Sequence, residues 1–387
     1  MSERRDFDVV LYGATSFVGQ ILCRYLVRRH GVSGPLRWAI AGRNSSKLDD
    51  VAEETGADVP RVVADATDRT ALAAMVASSR VVVSTVGPYA LHGSDLVEAA
   101  VDAGTDYCDL TGEVQWMRRM IDAHQERAEQ TGARIVHACG FDSIPSDLGT
   151  WFTQQRAVER FGEPCTEVRM AVKGASGGVS GGTAASGIQM FEEMAHDPSL
   201  RKVIGDPYTL APVDLREGPR QPGMGRPTRD ERFGSWLAPL VMAPTNSAVV
   251  LRSHALLGRP WGRDFTYGET MMTGDGLVGG VAAWGMTAGL AAFTGAASFG
   301  PTRKLLGKVI PKPGEGPSEA KQQAGYFDLR FVGRTADGRE IRTKVTGDAD
   351  PGYGSTAKML GESAVAFLDL DSATVGGGFW TPASAFG

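Results

Sequence analysis

The stretch that decides the fold is DVVL at Asp8–Leu11, followed almost directly by GATSFVG at Gly13–Gly19. The first piece reads as a short apolar strand, and residues 17–30 have the apolar periodicity of an amphipathic helix. A buried strand, a tight glycine turn and a helix in immediate succession are typical of the first βα unit of a dinucleotide-binding fold. The sequence therefore predicts a nucleotide site close to its amino terminus.

The loop residues have separate physical roles in such a unit. Gly13 takes backbone angles that other residues avoid, and Gly19 lets the helix pack close to the sheet. Ser16 stands where a G-x-x-G-x-x-G pattern has its middle glycine, but its small side chain still suits a nearby phosphate. The alternative is an ordinary glycine turn of another α/β protein. The predicted cofactor contacts in the loop are Gly13, Thr15, Ser16, Phe17, Val18 and Gly19, with the free N–H groups of the first helical turn facing a pyrophosphate.

The composition is that of a globular protein of two domains. The chain has 387 residues, long for one domain, and its net charge of −5 argues against a nucleic-acid partner. The four cysteines have no C-x-x-C spacing and indicate reduced thiols, while the six histidines have no H-E-x-x-H spacing, so no metal site is predicted. The amino terminus lacks the apolar core of a secretory signal, and we expect a cytoplasmic location.

The first half of the sequence alternates short apolar runs with helical stretches. The runs lie at 8–11, 36–41, 61–64, 81–86, 106–110 and 134–138. Such alternation is typical of a parallel sheet covered by helices on both faces. We therefore predict the α/β class, with a Rossmann-type parallel-sheet domain over residues 1–148.

Residues that directly follow the strands are candidate ligand contacts, because such sheets bind ligands beyond the carboxyl ends of their strands. Arg43 follows the second run, where a guanidinium suits the 2′-phosphate of NADP and an acidic residue would favour NAD. The alternative is a solvated surface arginine. Asp65, after the third run, is predicted to meet the adenine edge or else to cap the next turn. Gly87 and Pro88, after the fourth, are predicted to approach the ribose and nicotinamide.

Four short motifs carry a resemblance to a known family: AGRN at Ala41–Asn44, TVGPY at Thr85–Tyr89, DLTGE at Asp109–Glu113 and CGFDSIPSDL at Cys139–Leu148. With them the chain resembles the saccharopine dehydrogenase-like oxidoreductases, and among these the trans-acting enoyl reductases, nearly from end to end. The resemblance implies a nicotinamide cofactor on a Rossmann domain joined to an α+β domain, and Arg43 indicates that this cofactor is NADP. The resemblance also implies reduction of a carbon–carbon double bond on an acyl or polyketide lipid chain, presented by a polyketide synthase or carrier protein.

The second half changes from βα units to a different pattern. Alternating side chains at 165–173 and 326–332 predict half-buried strands, Asp337-Gly338 predicts a hairpin turn into 340–345, and 264–272 is another strand candidate. We predict a second α+β domain on a mixed sheet at 149–350, for substrate binding and homodimerisation. The remaining segment, 351–387, contains a helix that in the resembling family returns toward the Rossmann domain.

Two polar segments of this half are candidate binding sites. Residues 173–187 contain six glycines, whose backbone donors suit a phosphate or a thioester carbonyl; the alternative is a flexible connector. Residues 215–232 hold five arginines against three acids, which suits docking of an acidic carrier protein. The alternative there is a solvated loop.

The segment 276–302 contains no charged residue and is followed by Arg303, Lys304 and Lys308. It is long enough to span a bilayer, but glycine and alanine dominate it and supply little transfer energy. We expect a buried or membrane-touching helical hairpin rather than a span. Peripheral contact would place the protein at the inner face of the plasma membrane.

Enoyl reduction needs a proton donor near the strand ends as well as a hydride donor. Tyr89, after the fourth run, and Asp142, after the sixth, are the predicted catalytic residues. For Asp142 the alternative is capping of the next helix. Tyr107 and His137 are expected in the core. Two other functions stay open: a saccharopine-type reaction at an amino-acid C–N bond, and a non-catalytic lipid or membrane protein with a Rossmann fold.

Overall fold

Two β-sheets, one parallel and one mixed, organise the chain. They are seen in a computed structural model that describes residues 5–177, 181–223, 225–303 and 317–387. For residues 181–185 it describes the backbone alone. The predicted fold class is confirmed by these sheets. The residue boundaries predicted for the domains, 1–148, 149–350 and 351–387, stay predictions.

Strands and helices alternate through the first half of the chain. In order they are β1 (Phe7–Tyr12), α1 (Phe17–His30), β2 (Trp38–Gly42), α2 (Ser45–Thr55), β3 (Arg61–Val63), α3 (Arg69–Ala77), β4 (Ser79–Ser84), α4 (Tyr89–His92), α5 (Ser94–Ala103), β5 (Asp106–Asp109), α6 (Val114–Thr131), β6 (Arg134–Val136) and α7 (Ile144–Phe161). The side chains of Asn44 and Asp68 cap α2 and α3 by accepting hydrogen bonds from backbone N–H groups, which fixes where these helices begin.

Longer strands and several helices make up the second half. In order they are β7 (Cys165–Ser176), α8 (Gly181–His196), α9 (Leu200–Gly205), β8 (Thr228–Asp230), β9 (Ser235–Pro239), α10 (Ala243–Leu256), β10 (Thr266–Gly274), α11 (Gly276–Ser298), α12 (Glu319–Gln323), β11 (Tyr326–Thr335), β12 (Glu340–Gly347), α13 (Thr356–Ala366), β13 (Gly378–Trp380) and α14 (Pro382–Phe386). The predicted hairpin is confirmed, because β11 and β12 pair antiparallel.

The first sheet is parallel throughout, with the strand order β13-β6-β5-β4-β1-β2-β3. Val10 of β1 lies between Ala39 of β2 and Val82 of β4. The chain winds outward in one direction from β1 to β3 and in the other from β4 to β6. This reversal between β1 and β4 opens a crevice at the carboxyl ends of the strands, where such sheets bind ligands.

The seventh strand of this sheet was not predicted. β13 pairs parallel with β6, with Phe379 opposite Ile135. Helix α13 also belongs to this half, since Ala357, Leu360 and Ala364 are buried in the core cluster that contains Leu11 of β1. The carboxyl-terminal part of the chain therefore completes the sheet with which the amino-terminal part begins.

The second sheet has the order β12-β11-β7-β10-β9-β8 and is mixed, because β7 and β10 pair parallel and the other neighbours antiparallel. Val168 and Met170 of β7 point to the same face as Phe331 of β11, and all three are buried together with Val250 of α10. Phe331 also presses its ring toward Gly149 of α7, where a Cβ would lie 2.4 Å from the ring. Helices α7 and α10 thus form the layer that covers this sheet on the side of its apolar core.

Two expectations for the second half need correction. Most of the glycine-rich segment is regular structure rather than a connector, because β7 extends to Ser176 and α8 begins at Gly181; residues 178–180 lie outside the described part. Residues 276–298 form one continuous helix rather than the two limbs of a hairpin. Glycine weakens a helix by only about 1 kcal/mol relative to alanine. Its frequency in this segment therefore did not mark a turn.

Candidate active site

The glycine loop after β1 forms the floor of the crevice. Gly13 has a φ of +90°, and a Cβ there would lie 2.6 Å from the Val86 side chain. A Cβ on Gly19 would lie 2.2 Å from the carbonyl oxygen of Gly13. Only glycine fits either position, because the loop is pressed between α1 and the end of β4. The two glycines thus have the roles expected of a nucleotide-binding turn.

Ser16 caps α1 and joins the loop to the end of β4. Its Oγ accepts a hydrogen bond from the Gly19 N–H at 2.9 Å and lies 2.9 Å from Thr85 Oγ1, which in turn donates to the Gly13 carbonyl. Within the described residues, the N–H groups of Phe17 and Val18 have no protein acceptor. The open end of α1 therefore offers backbone donors to an anion, and its contact with a pyrophosphate stays a prediction.

Arg43 and Asp65 occupy the adjacent loops, after β2 and β3. Arg43 is exposed, and its guanidinium donates no hydrogen bond within the described part of the chain. Asp65 instead accepts hydrogen bonds from the N–H and Oγ1 of Thr67, at 2.9 and 2.7 Å, and these lower the pKa of its carboxyl. Asp65 thus caps a turn, which was the alternative to a contact with adenine. The Arg43 guanidinium remains available beside the crevice.

Gly87, Pro88 and Tyr89 follow β4 at the same edge. The Tyr89 side chain points into the core: its hydroxyl donates to the Ser84 carbonyl at 3.0 Å, and its ring lies 5.4 Å from that of Trp116. Burial raises the pKa of Tyr89 well above its usual value. The Tyr89 phenol therefore holds the loop in place. Its role as a proton donor stays a prediction.

Glu113 is a buried carboxylate that sequence reasoning did not select. It accepts hydrogen bonds from the N–H groups of Tyr89 and Ala90, at 2.9 and 2.8 Å, and from Ser186 Oγ of α8 at 2.8 Å. Burial raises the pKa of Glu113 despite these three donors. Because Ser186 follows β7 in the chain, Glu113 ties the loop after β4 to the second half. The DLTGE motif contained this residue, but no local pattern revealed its partners.

Asp142 lies in the loop after β6 and is half-buried. Ser143 holds the capping position of α7, and its Oγ donates to Asn246 Oδ1 at 3.1 Å instead of capping. Among the described residues, no donor faces the Asp142 carboxyl, and burial raises its pKa to about 6. The geometry therefore does not support helix capping by Asp142. Its side chain can gain or lose a proton and lies beyond the carboxyl ends of the parallel strands.

Glu269 of β10 is a second buried carboxyl close to Asp142, and it too was missed. Tyr267 donates its hydroxyl hydrogen to Glu269 Oε1 at 2.6 Å, and Asn246 donates to Oε2 at 2.8 Å. Burial, together with the charge of Asp142, raises the pKa of Glu269 to about 7 in spite of these hydrogen bonds. Asp142 follows a strand of the first sheet and Glu269 belongs to the second sheet. Only the tertiary structure brings the two carboxyls together.

The loop before Asp142 is held by a second buried pair. Asp109 Oδ2 lies 2.7 Å from His137 Nδ1, and Asp109 Oδ1 accepts from the N–H groups of Thr111 and Ala138. Both side chains are buried, as expected for His137. No group of ligands suited to a metal ion is found among the described residues.

The basic segment is largely paired with acids of its own chain. Arg216 contacts Asp122, Arg229 contacts Asp275, and Arg232 contacts Asp230 and Glu167. Part of it is also regular structure, since β8 lies at 228–230. The cationic surface available to a carrier protein is thus smaller than the count of arginines suggested.

These features define a nicotinamide-dependent oxidoreductase of the saccharopine dehydrogenase type, since residues 9–136 match the saccharopine dehydrogenase NADP binding domain. The chain is also similar, nearly end to end, to trans-acting enoyl reductases. One from Mycobacterium bovis is 38% identical over 397 residues, covering 99% of this chain and 94% of its own, and one from Mycobacterium ulcerans is 37% identical over 403 residues, covering 100% and 95%. A Mycobacterium tuberculosis relative, whose name gives the same activity provisionally, is 42% identical over 397 residues, with 99% and 94% covered. The chain belongs to the family of trans-acting enoyl reductases.

Among solved structures, apo saccharopine dehydrogenase from Saccharomyces cerevisiae aligns with a TM-score of 0.48 and 15% sequence identity, covering 98% of this chain and 94% of that one.

Proposed function

We propose that this protein is an NADPH-dependent enoyl reductase that acts on an α,β-unsaturated acyl thioester. The observation that carries the proposal is the similarity to trans-acting enoyl reductases over nearly the whole chain, including both sheets. The acidic character of the site favours this reaction over one on an amino acid with several carboxylates. Asp142 and Glu269 supply no cation to hold the carboxylates of such a substrate, whereas a neutral thioester needs none.

The residues around the crevice fit the cofactor. The glycine cradle at Gly13 and Gly19 leaves room for a backbone approach, α1 offers free N–H groups, and Arg43 supplies a cation for a 2′-phosphate. When bound, NADPH supplies the hydride for the β-carbon of the substrate. The protein must then hold the acyl chain in the crevice, exclude water and deliver a proton to the α-carbon.

Asp142 is the proposed proton donor. Its carboxyl is uncommitted, lies beyond the end of β6 and keeps its proton to about pH 6 because of burial. Glu269 lies close enough for the charge of Asp142 to favour the protonated form of Glu269. Tyr267 and Asn246 in turn hold Glu269 in place.

The activity is tested by incubating the purified protein with NADPH and an α,β-unsaturated acyl thioester, both free and bound to a carrier protein. We expect NADPH oxidation and a saturated product. A protein that oxidises no NADPH with either form of substrate is not an enoyl reductase.

The role of Asp142 is tested in the same assay with Asp142→Asn. Because a general acid must be protonated to act, wild-type kcat should fall as pH rises above about 6. The variant should be slower by roughly a hundredfold or more and should lack this limb of the pH profile. Asp102→Asn, at an exposed aspartate paired with Arg127, is the matched control. If Asp142→Asn keeps the wild-type rate and profile, Asp142 has no part in the mechanism.

We also propose that the acyl chain is presented by a separate polyketide synthase or carrier protein, in keeping with the word trans-acting in the names of the relatives. A preference for the carrier-bound thioester over the free one, seen as a lower KM, would support this part of the proposal. Equal KM values for the two forms would contradict it.

A further inference from the structure

Helix α11 exposes a large apolar surface. From Gly276 to Thr302 the sequence has no charged residue, yet Leu277 is 89% exposed, Val281 75% and Trp284 54%. Among the described residues, α11 is the one helix long and apolar enough to cross a membrane. Contiguous apolar patches of this kind mark contacts with another molecule or with a membrane.

The exposed side chains are spread over more than half of the helix circumference. At 3.6 residues per turn, Leu277, Val281 and Trp284 lie on one side, while Met286 and Phe293 lie on nearly the opposite side. The narrow remaining stripe consists of small residues. Glycine at 280 lets the helix approach the Trp236 ring of β9, where a Cβ would lie 3.2 Å away. The protein thus covers only the small-residue stripe.

Both ends of α11 are fastened to the body of the protein. At its beginning, Asp275 accepts a hydrogen bond from the Gly276 N–H and pairs with Arg229 at 2.9 Å. Just beyond its end, the Arg303 guanidinium donates to the carbonyls of Phe191 in α8 and Ala297 in α11. A helix held at both ends lies along the protein surface, so it is placed to enter a membrane from the side and not to cross it.

We propose that α11 docks the protein on a lipid bilayer by lying in the interfacial region with its exposed side chains among the acyl chains. A protein partner or a second copy would normally meet one face of the helix and surround it with a polar rim. Apolar side chains over most of the circumference, with no charge between Asp275 and Arg303, instead match a fluid apolar medium. The charged residues at the two ends lie where a lipid headgroup layer would begin.

Helix α8 connects this surface with the crevice. Ser186 near its beginning donates to Glu113, and the Phe191 carbonyl one turn later accepts from Arg303 beside α11. An acyl substrate dissolved in the bilayer would therefore meet the protein on the side from which α8 leads to the site. This last step rests on the proposed function, whereas docking through α11 does not.

Flotation with lipid vesicles tests the docking. Purified full-length protein is mixed with vesicles of phosphatidylcholine, alone or in equal parts with phosphatidylglycerol, and its distribution in a density gradient is measured. We expect the wild-type protein to float with both kinds of vesicle. Val281→Glu and Trp284→Glu should each weaken binding roughly tenfold or more, because each removes a large apolar side chain from the lipid.

Val213→Glu is the matched control, since Val213 is 75% exposed and lies outside α11; it should float like the wild type. Circular dichroism checks that each variant is folded. Wild-type protein that stays at the bottom of the gradient overturns the proposal, as do α11 variants that float normally. A third result would also overturn it. In that result the protein binds no vesicles, sediments as a dimer without them, and loses this dimer in the α11 variants. NADPH oxidation with a free thioester is measured alongside, so that loss of docking and loss of activity are told apart.

Discussion

Arg43 differs from most arginines of this protein in forming no ion pair within the described structure, although its charge lowers the pKa of the nearby Asp65. Arg37, Arg61 and Arg134, for example, each pair with an aspartate of a neighbouring strand or helix. An unpaired guanidinium at the end of β2 is fully available to a ligand. Its planar fork matches a phosphate in a way that a lysine would not.

The substitution Arg43→Ala should therefore weaken NADPH and leave NADH nearly unaffected. Loss of a charge-assisted hydrogen-bonded pair of this kind is worth about 1.5–3 kcal/mol, or roughly a tenfold to hundredfold rise in KM for NADPH. Steady-state kinetics with both cofactors measure the effect. Arg156→Ala, on the exposed side of α7, is the control and should change neither KM. Equal losses with NADPH and NADH would show that Arg43 does not read the 2′-phosphate.

The candidate site was only partly predictable from sequence, and the reason is visible at single residues. Gly13, Gly19 and Arg43 lie at fixed distances after strands, so the pattern of strand and turn located them. Glu113 and Glu269 become part of the site through partners on α8 and α10, far away in the chain. Such contacts leave no pattern in the local sequence, because a single glutamate is most often a solvated surface residue.

Three helices from distant parts of the chain meet at one buried carboxyl. Asp147 of α7 accepts hydrogen bonds from the Ser253 hydroxyl of α10 and from the Ala383 N–H of α14. Burial raises the pKa of Asp147 from 3.8 to about 7 in spite of these donors. The junction is thus most stable with this carboxyl protonated.

The stability of the protein should therefore depend on pH through Asp147. Between about pH 4 and pH 7 the folded state holds a proton here that the unfolded chain releases. The contribution of this group to the free energy of unfolding is then lost as pH rises, by up to about 1.4 kcal/mol per pH unit. Asp147→Asn cannot titrate, so its stability relative to the wild type should improve across this window in urea unfolding experiments.

Ser253→Ala is the matched control for this junction. It removes one hydrogen-bond donor but keeps the carboxyl, so it should lower stability and retain the wild-type dependence on pH. A stability difference between wild type and Asp147→Asn that stays constant from pH 4 to 7 would rule out titration of Asp147 in the folded state.

Strands of the first sheet were predictable where their central residues are apolar. The central residues of β1, β2 and β4 are buried by helices on both faces, and they appear in the sequence as short apolar runs. β13 has three residues, lies between glycines and a Thr-Pro turn, and pairs with a strand more than two hundred residues earlier. Neither length nor periodicity distinguishes such a segment from a loop.

The last residues of the chain join the two halves of the molecule. The Phe379 carbonyl of β13 accepts a hydrogen bond from Arg252 of α10, and its N–H donates to Gln125 of α6. The Phe379 side chain is buried on the first sheet beside His137, with ring centroids 5.7 Å apart. Helix α10 covers the second sheet, so β13 is bonded to layers of both halves.

Truncation of this buried ring should destabilise the whole molecule. We expect Phe379→Ala to lower the free energy of unfolding by about 3–5 kcal/mol, the range for a buried phenylalanine. Phe152→Ala, at a ring that is 39% exposed, should have a much smaller effect. Denaturant unfolding followed by tryptophan fluorescence and circular dichroism measures both. Similar losses for the two variants would show that β13 adds little to the stability of the fold.

The strand order of the first sheet has a consequence for biosynthesis. β1 through β6 emerge from the ribosome first, and their sheet is left with β6 at an open edge. The strand that covers this edge, at 378–380, follows more than two hundred residues after β6 in the chain. The nucleotide-binding half can therefore complete its sheet only after all strands of the second sheet have been synthesised.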